Sequence, residues 1–130
     1  MAATRTADTT LEQAVRAHAL SLPEAEEHFP WGEPAARVRG KNFAFLGGDR
    51  GPETLLAMTV KLPIAGPMAL ELPYVTPAGY NLGRSGWVTV RLGPQDDYDL
   101  DMLKDWVTQS YIAVAPKALG RTVAAAAASA

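Results

Sequence analysis

A chain of 130 residues suits one domain with a single continuous core and is too short for two. It contains no cysteine, which removes disulfides, thiolate metal sites and thiol nucleophiles and suits a reducing, cytoplasmic setting. Twelve Lys+Arg against fourteen Asp+Glu give a formal net charge of -2, which argues against nucleic-acid binding driven by bulk charge alone.

No apolar run approaches the roughly 20 residues of a membrane span, and Met1 to Asp8 lack the apolar centre of a signal peptide, so a soluble, unanchored protein is expected. The charges are unevenly spread. Residues 1–36 hold two cations and six anions, residues 37–95 seven and three, and residues 96–130 three and five. Either the basic middle attracts the acidic flanks within the fold, or it presents an anion-binding face.

Residues 1–9 read as a flexible N-terminus. Thr10-Leu11-Glu12-Gln13 then has capping-box form, and Leu11, Ala14, Val15, His18, Ala19 and Leu22 recur at helical spacing. Pro23 ends this helix near Ser21, because the residue before proline is pushed out of the helical region. His18 lies beside the apolar stripe, which suits a partly buried structural histidine. The segment from Pro23 to Pro34 is an acidic, proline-punctuated connector whose Phe29 and Trp31 are expected to pin it to the core. Glu26, Glu27, His28 and Glu33 match no ligand spacing and read as a solvated loop, so no metal site is expected.

Ala35 to Leu46 is a β-hairpin folded over Gly40-Lys41, with Arg37, Arg39 and Lys41 as its charges and Val38, Phe43 and Phe45 as its apolar contribution. Gly47 to Pro52 is dense in turn formers and lacks the pattern of a phosphate-binding loop. Thr54 to Leu62 is a nearly continuous apolar strand, expected at the centre of the sheet. A short helix is expected near Pro67. Pro73 to Gly79 then reads as a loop leading into a second hairpin, with Tyr80-Asn81-Leu82 as one arm and Gly83 to Gly86 as the turn. In the other arm Val88, Val90 and Leu92 face one side, and Trp87, Thr89 and Arg91 the other. Asp99 can cap a long helix in which Leu100, Leu103, Trp106, Val107, Tyr111 and Val114 form one stripe. Pro116 interrupts it, and residues 121–130 form an alanine-rich tail with too little side chain to bury, expected to fray.

These elements predict an α+β fold, an antiparallel sheet of about five strands with N- and C-terminal helices packed on one face. Two histidines, no cysteine and no nucleophile paired with a base leave no catalytic constellation, and no cofactor motif is present. Trp31, Tyr74, Tyr80 and Trp87 fall near expected loops and could line a cleft for a small apolar ligand or a protein.

Several short motifs occur in a telling order. They are Ser21-Leu22-Pro23 followed by an acid, Pro30-Trp31-Gly32-Glu33, Val38-Arg39-Gly40-Lys41-Asn42-Phe43-Ala44, Val60-Lys61-Leu62-Pro63, Gly79-Tyr80 followed by Gly86-Trp87-Val88-Thr89-Val90, and Ser110-Tyr111 followed by Ala115-Pro116-Lys117. In this order residues 10–120 resemble the MmcQ/YjbR family, each motif weak alone and the set specific. The resemblance implies a single frataxin-homologue-like domain and a protein that binds duplex DNA weakly and without sequence preference through two β-hairpin wings. It brings no catalytic residues. The wings would place Arg39 and Lys41 at the first tip and Arg84 at the second against phosphates.

Overall fold

A computed structural model describes residues 2–30, 32–47, 54–79 and 82–129. The first helix, α1, spans Ala2–Ser21. Thr10 therefore lies inside the helix and not at its N-cap, because Ala2, Ala3 and Ala7 let the helix continue upstream of the capping box. A turn with Pro23 at its second position and Glu24 at positive φ (60°) closes through Ala25 N–H to Leu22 O, 3.0 Å.

The chain then enters an edge strand where the acidic, proline-punctuated pattern predicts a loop. Strand β1, Ala25–His28, pairs antiparallel with β2, Ala35–Val38. Ala-Glu-Glu-His has little strand propensity, so the neighbouring strand supplies the order, and charged residues on an edge discourage further pairing. Phe29 does not pin this segment. It is 55% exposed, while Trp31 lies outside the described residues.

Strand β3, Lys41–Leu46, returns from β2 through Arg39 and Gly40, one position earlier than the sequence suggested. Both turn residues have positive φ, 51° and 81°, the type I′ geometry whose twist matches the flanking strands. Phe43 is an extra residue, since Ala36 pairs with Ala44 and Arg37 with Asn42. This bulge lets Phe43 and Ala44 both face the helices and sends Phe45 to the opposite side.

Strand β4, Leu56–Lys61, is central as expected. It lies between β3 and β6, Trp87–Leu92, in a six-stranded antiparallel sheet ordered β1-β2-β3-β4-β6-β5. The short helix α2 is Gly66–Ala69, near Pro67. The expected loop at Pro73 to Gly79 contains β5, Val75–Pro77, whose terminal proline suits an edge. The second hairpin is thus β5–β6. Leu82, expected in a strand, begins a 3-10 turn, Leu82–Ser85, that leads into β6, while Tyr80 and Asn81 lie outside the described residues.

Val88, Val90 and Leu92 face the helices, and Trp87, Thr89 and Arg91 face away, as the alternation predicted. Helix α3, Leu100–Val114, is capped by Asp99, whose carboxylate accepts from Asp101 N at 2.9 Å. Leu103, Trp106, Val107 and Tyr111 of α3 are buried with Leu11, Val15 and Ala19 of α1. Pro116 breaks the helix, and α4, Lys117–Ser129, turns back. A Cβ at Gly120 would stand 3.3 Å from Ile112 O, so glycine permits the close approach of α4 to α3 that buries Val123.

His18 is structural. Its Nε2 lies 2.7 Å from Thr108 Oγ1, and the Thr108 hydroxyl donates to Lys104 O, so Nε2–H is the donor to Thr108. Burial lowers its pKa below the ordinary 6.5, and the Lys104 charge adds to this against Asp105 and a backbone hydrogen bond to Lys104. With the folded value below the unfolded one, the unfolded chain takes up the proton first. Stability is full above pH 6.5 and is expected to fall as the pH drops through the His18 value. Denaturant titrations between pH 7.5 and 5 should show this loss, and His18→Gln should flatten it; an unchanged slope would show that His18 does not control it.

Candidate nucleic-acid interface

Antiparallel register brings the expected contact positions to one end of the sheet. Val38 pairs with Lys41 across the β2–β3 turn, Lys61 at the end of β4 pairs with Trp87 at the start of β6, and Pro77 at the end of β5 pairs with Val88. The β2–β3 turn with Arg39, the start of β3 with Lys41, the end of β4 with Lys61, and the 3-10 turn that contains Arg84 therefore share that end. With neighbouring strands about 4.8 Å apart, β3 and β6 are separated by two spacings, roughly 10 Å. The side chain of Arg84 lies outside the described residues.

The cations at this end differ in availability. Arg39 is held by Glu24, with Nε to Oε1 at 2.5 Å and Nη2 to Oε2 at 2.9 Å. Its guanidinium holds the Glu24 carboxyl below the usual carboxylate range. Glu24 and Arg39 are also the two non-glycine residues with positive φ among the described residues, so the ion pair joins two turns that are each set in an uncommon backbone state. Tyr111 fastens the same corner, its hydroxyl donating to Pro23 O at 2.7 Å and its ring meeting Phe43 edge-on at 5.2 Å. Arg39 thus has a neutralising partner. Lys41 is exposed, and Lys61, which sequence reasoning passed over as a strand residue, is half-buried at the end of β4. Its place just before Leu62-Pro63, where the strand must stop, was the available signal.

On the sheet face away from the helices, Arg37 lies 3.3 Å from Glu26, and Arg91 is exposed. Strand alternation separates the acidic residues of β1: Glu26 and His28 face outward, His28 Nε2 hydrogen-bonding Asn42 Oδ1, while Glu27 faces the helices and pairs with Arg16. No group of three or more potential metal ligands forms among the described residues.

Of the aromatic residues expected at a cleft, the two described ones, Tyr74 and Trp87, do not share a groove. Tyr74 is buried, and burial raises its pKa, helped by Asp96, Asp97 and Asp99. Trp31 and Tyr80 lie outside the described residues. Among the described residues of this set, Trp87 lines the open groove at the basic end, about 380 Å³ between α2, the 3-10 turn and the tip of β5. Phe45 packs against the indole from the sheet face, ring centroids 5.8 Å apart.

The YjbR family model matches residues 20–113, most of the domain just described. The chain belongs to the YjbR family. Two solved structures share the YjbR-like architecture. One is a Deinococcus radiodurans protein with a DUF419 domain, 23% identical, covering 76% of this chain and 74% of its own, with a TM-score of 0.61. The other, from Pseudomonas syringae, is 21% identical, covers 73% of this chain and 93% of its own, and has a TM-score of 0.51. At these identities the likeness carries the fold alone. No curated protein matches the chain.

Among the described residues, no helix of this YjbR protein is long and apolar enough to cross a membrane. Its Ser110-Tyr111 motif acquires a structural reason. The β3–β4 ladder runs from Leu46↔Met58 to Ala44↔Val60, and the next pair would be Phe43 and Lys61. In its place the Ser110 hydroxyl enters from α3, donating to Phe43 O at 2.5 Å and accepting from Lys61 N at 2.8 Å. It bridges the two strands where they part and ties Lys61 to the helix layer.

Proposed function

We propose that the protein is a weak, sequence-independent DNA-binding module, cytoplasmic and without catalytic chemistry, whose phosphate contacts come from one end of its sheet. The observation that carries this is the register that gathers Lys41, Lys61 and the turn bearing Arg84 at that end. This keeps the double-wing reading and changes its membership: Lys61 joins, and Arg39, neutralised by Glu24, contributes little. A Coulombic surface of three cations positions phosphates, and phosphate contacts carry no sequence information.

Binding to a labelled duplex should weaken with salt at a log-log slope of roughly -0.9 per phosphate, near -3 for three contacts, with micromolar or weaker affinity at physiological salt. The combined Lys41, Lys61 and Arg84 change to Ala should abolish it, while Arg39→Ala alone should change it less than about two-fold. No binding by the parent protein at low salt would remove the reading. The groove beside Trp87 would then favour a module for a small apolar ligand.

A further inference from the structure

The groove and the cations occupy the same end of the sheet, and the double-wing reading uses only the cations. Leu62, Pro63, Pro67, Pro77, Ser85 and Trp87 line the groove. Its volume of about 380 Å³ is ample for one planar heterocycle, and its walls are mostly apolar rings and backbone. Trp87 lines the groove and Phe45 packs against its indole, ring centroids 5.8 Å apart, so the ring orientation is set before a ligand arrives. Lys61 is the cross-strand partner of the lining residue Trp87, so the two side chains leave the sheet on the same face. An apolar slot with a lysine beside its tryptophan matches the two halves of a nucleotide, a base with two π faces and a phosphate with negative charge.

We propose that this groove takes one unpaired nucleobase, seated against Trp87, with the adjoining phosphates on Lys61 and Lys41. The inference rests on the nucleic-acid reading above and sharpens it: the preferred partner is a single strand, or a duplex with an unpaired or frayed base. A fully paired base is already stacked on its neighbours and cannot enter without the cost of unstacking. The groove is open, and among the described residues its polar side-chain lining besides the Trp87 indole is the single Ser85 hydroxyl, too little to choose among bases, so the preference is for unpaired over paired.

The test compares a labelled oligothymidine with a blunt duplex of equal length by fluorescence anisotropy at low salt. The parent protein should bind the single strand more tightly than the duplex. Trp87→Leu keeps apolar bulk against Phe45 and removes the π face, so it should weaken single-strand binding roughly 5- to 100-fold and leave duplex binding within two-fold. Trp87→Phe should restore most of the loss. If Trp87→Leu fails to fold by circular dichroism, Ser85→Leu at the exposed rim fills the groove instead and should give the same selective loss. Equal affinity for both probes, or a Trp87→Leu or Ser85→Leu variant that binds the single strand like the parent, overturns the groove proposal. If the triple cation variant still loses both probes in that case, the phosphate-contacting reading survives alone; no binding of either probe by the parent removes both.

Discussion

Trp106→Ala is expected to destabilise the protein by about 3 to 5 kcal/mol, the range for deleting a buried tryptophan from a packed core. Trp106 is 5% exposed and belongs to the core cluster in which Leu103, Val107 and Tyr111 of α3 meet the sheet and Leu11, Val15 and Ala19 of α1. Its removal leaves a cavity that α1 and α3 cannot jointly collapse into, because each helix is also bound by polar contacts: His18 to Thr108 across the helix pair, and Ser110 to two strands. Urea unfolding followed by far-ultraviolet circular dichroism measures the loss as a lower midpoint with the slope retained. A loss under about 1 kcal/mol would mean that Trp106 is not a core residue.

Ser110→Ala should cost about 2 to 4 kcal/mol, although only one oxygen is removed. The side chain is fully buried, and its hydroxyl serves a donor and an acceptor that have left the β3–β4 ladder, Lys61 N–H and Phe43 C=O. Each backbone group orphaned in the interior costs about 1 to 3 kcal/mol, and alanine offers neither a replacement. The informative control is Ser21→Ala. The Ser21 hydroxyl also donates to a backbone oxygen, His18 O at 2.6 Å, but it is exposed, so water replaces the bond and the change should stay within about 0.5 kcal/mol. Similar losses for the two variants would refute the bridging role of Ser110.

Both predictions concern features that differ in how far the chain announces them. The stripe containing Trp106 repeats at helical spacing, and the residues that would bury it lie in an equally regular stripe on α1, so periodicity alone located that contact. Ser110 shows no periodicity. A serine in a helix is a neutral local signal, and its role depends on Phe43, 67 residues away, where β3 bulges against β2 and the β3–β4 ladder has already ended. The same bulge explains why Phe45, expected on the core face, turns to the other side and supports Trp87. Edge strands β1 and β5 were unreadable for a related reason: Ala-Glu-Glu-His and Val-Thr-Pro have no strand signature of their own, and each is a strand because a neighbour with free N–H and C=O groups lies beside it.

For the candidate site the division is similar. The basic character of residues 37–95 is a property of composition, and Arg39, Lys41 and Arg84 fell beside turn-forming glycines where hairpin tips were expected. Which of these cations is available depends on partners far along the chain. Glu24 reaches Arg39 because the Pro23-Glu24 turn and the β2–β3 turn come to the same end of the sheet, and Lys61 joins that end because β4 runs antiparallel to β3. Local patterns of apolar residues, caps and turn formers acted over a few residues each and so determined the helices α1 and α3, the first hairpin, the central strand β4 and the alternation in β6. Strand order, the bulge, the edge strands and the meeting of groove and cations required pairing between segments tens of residues apart. The energy of those pairings lies in backbone hydrogen bonds and buried contacts that no single segment possesses.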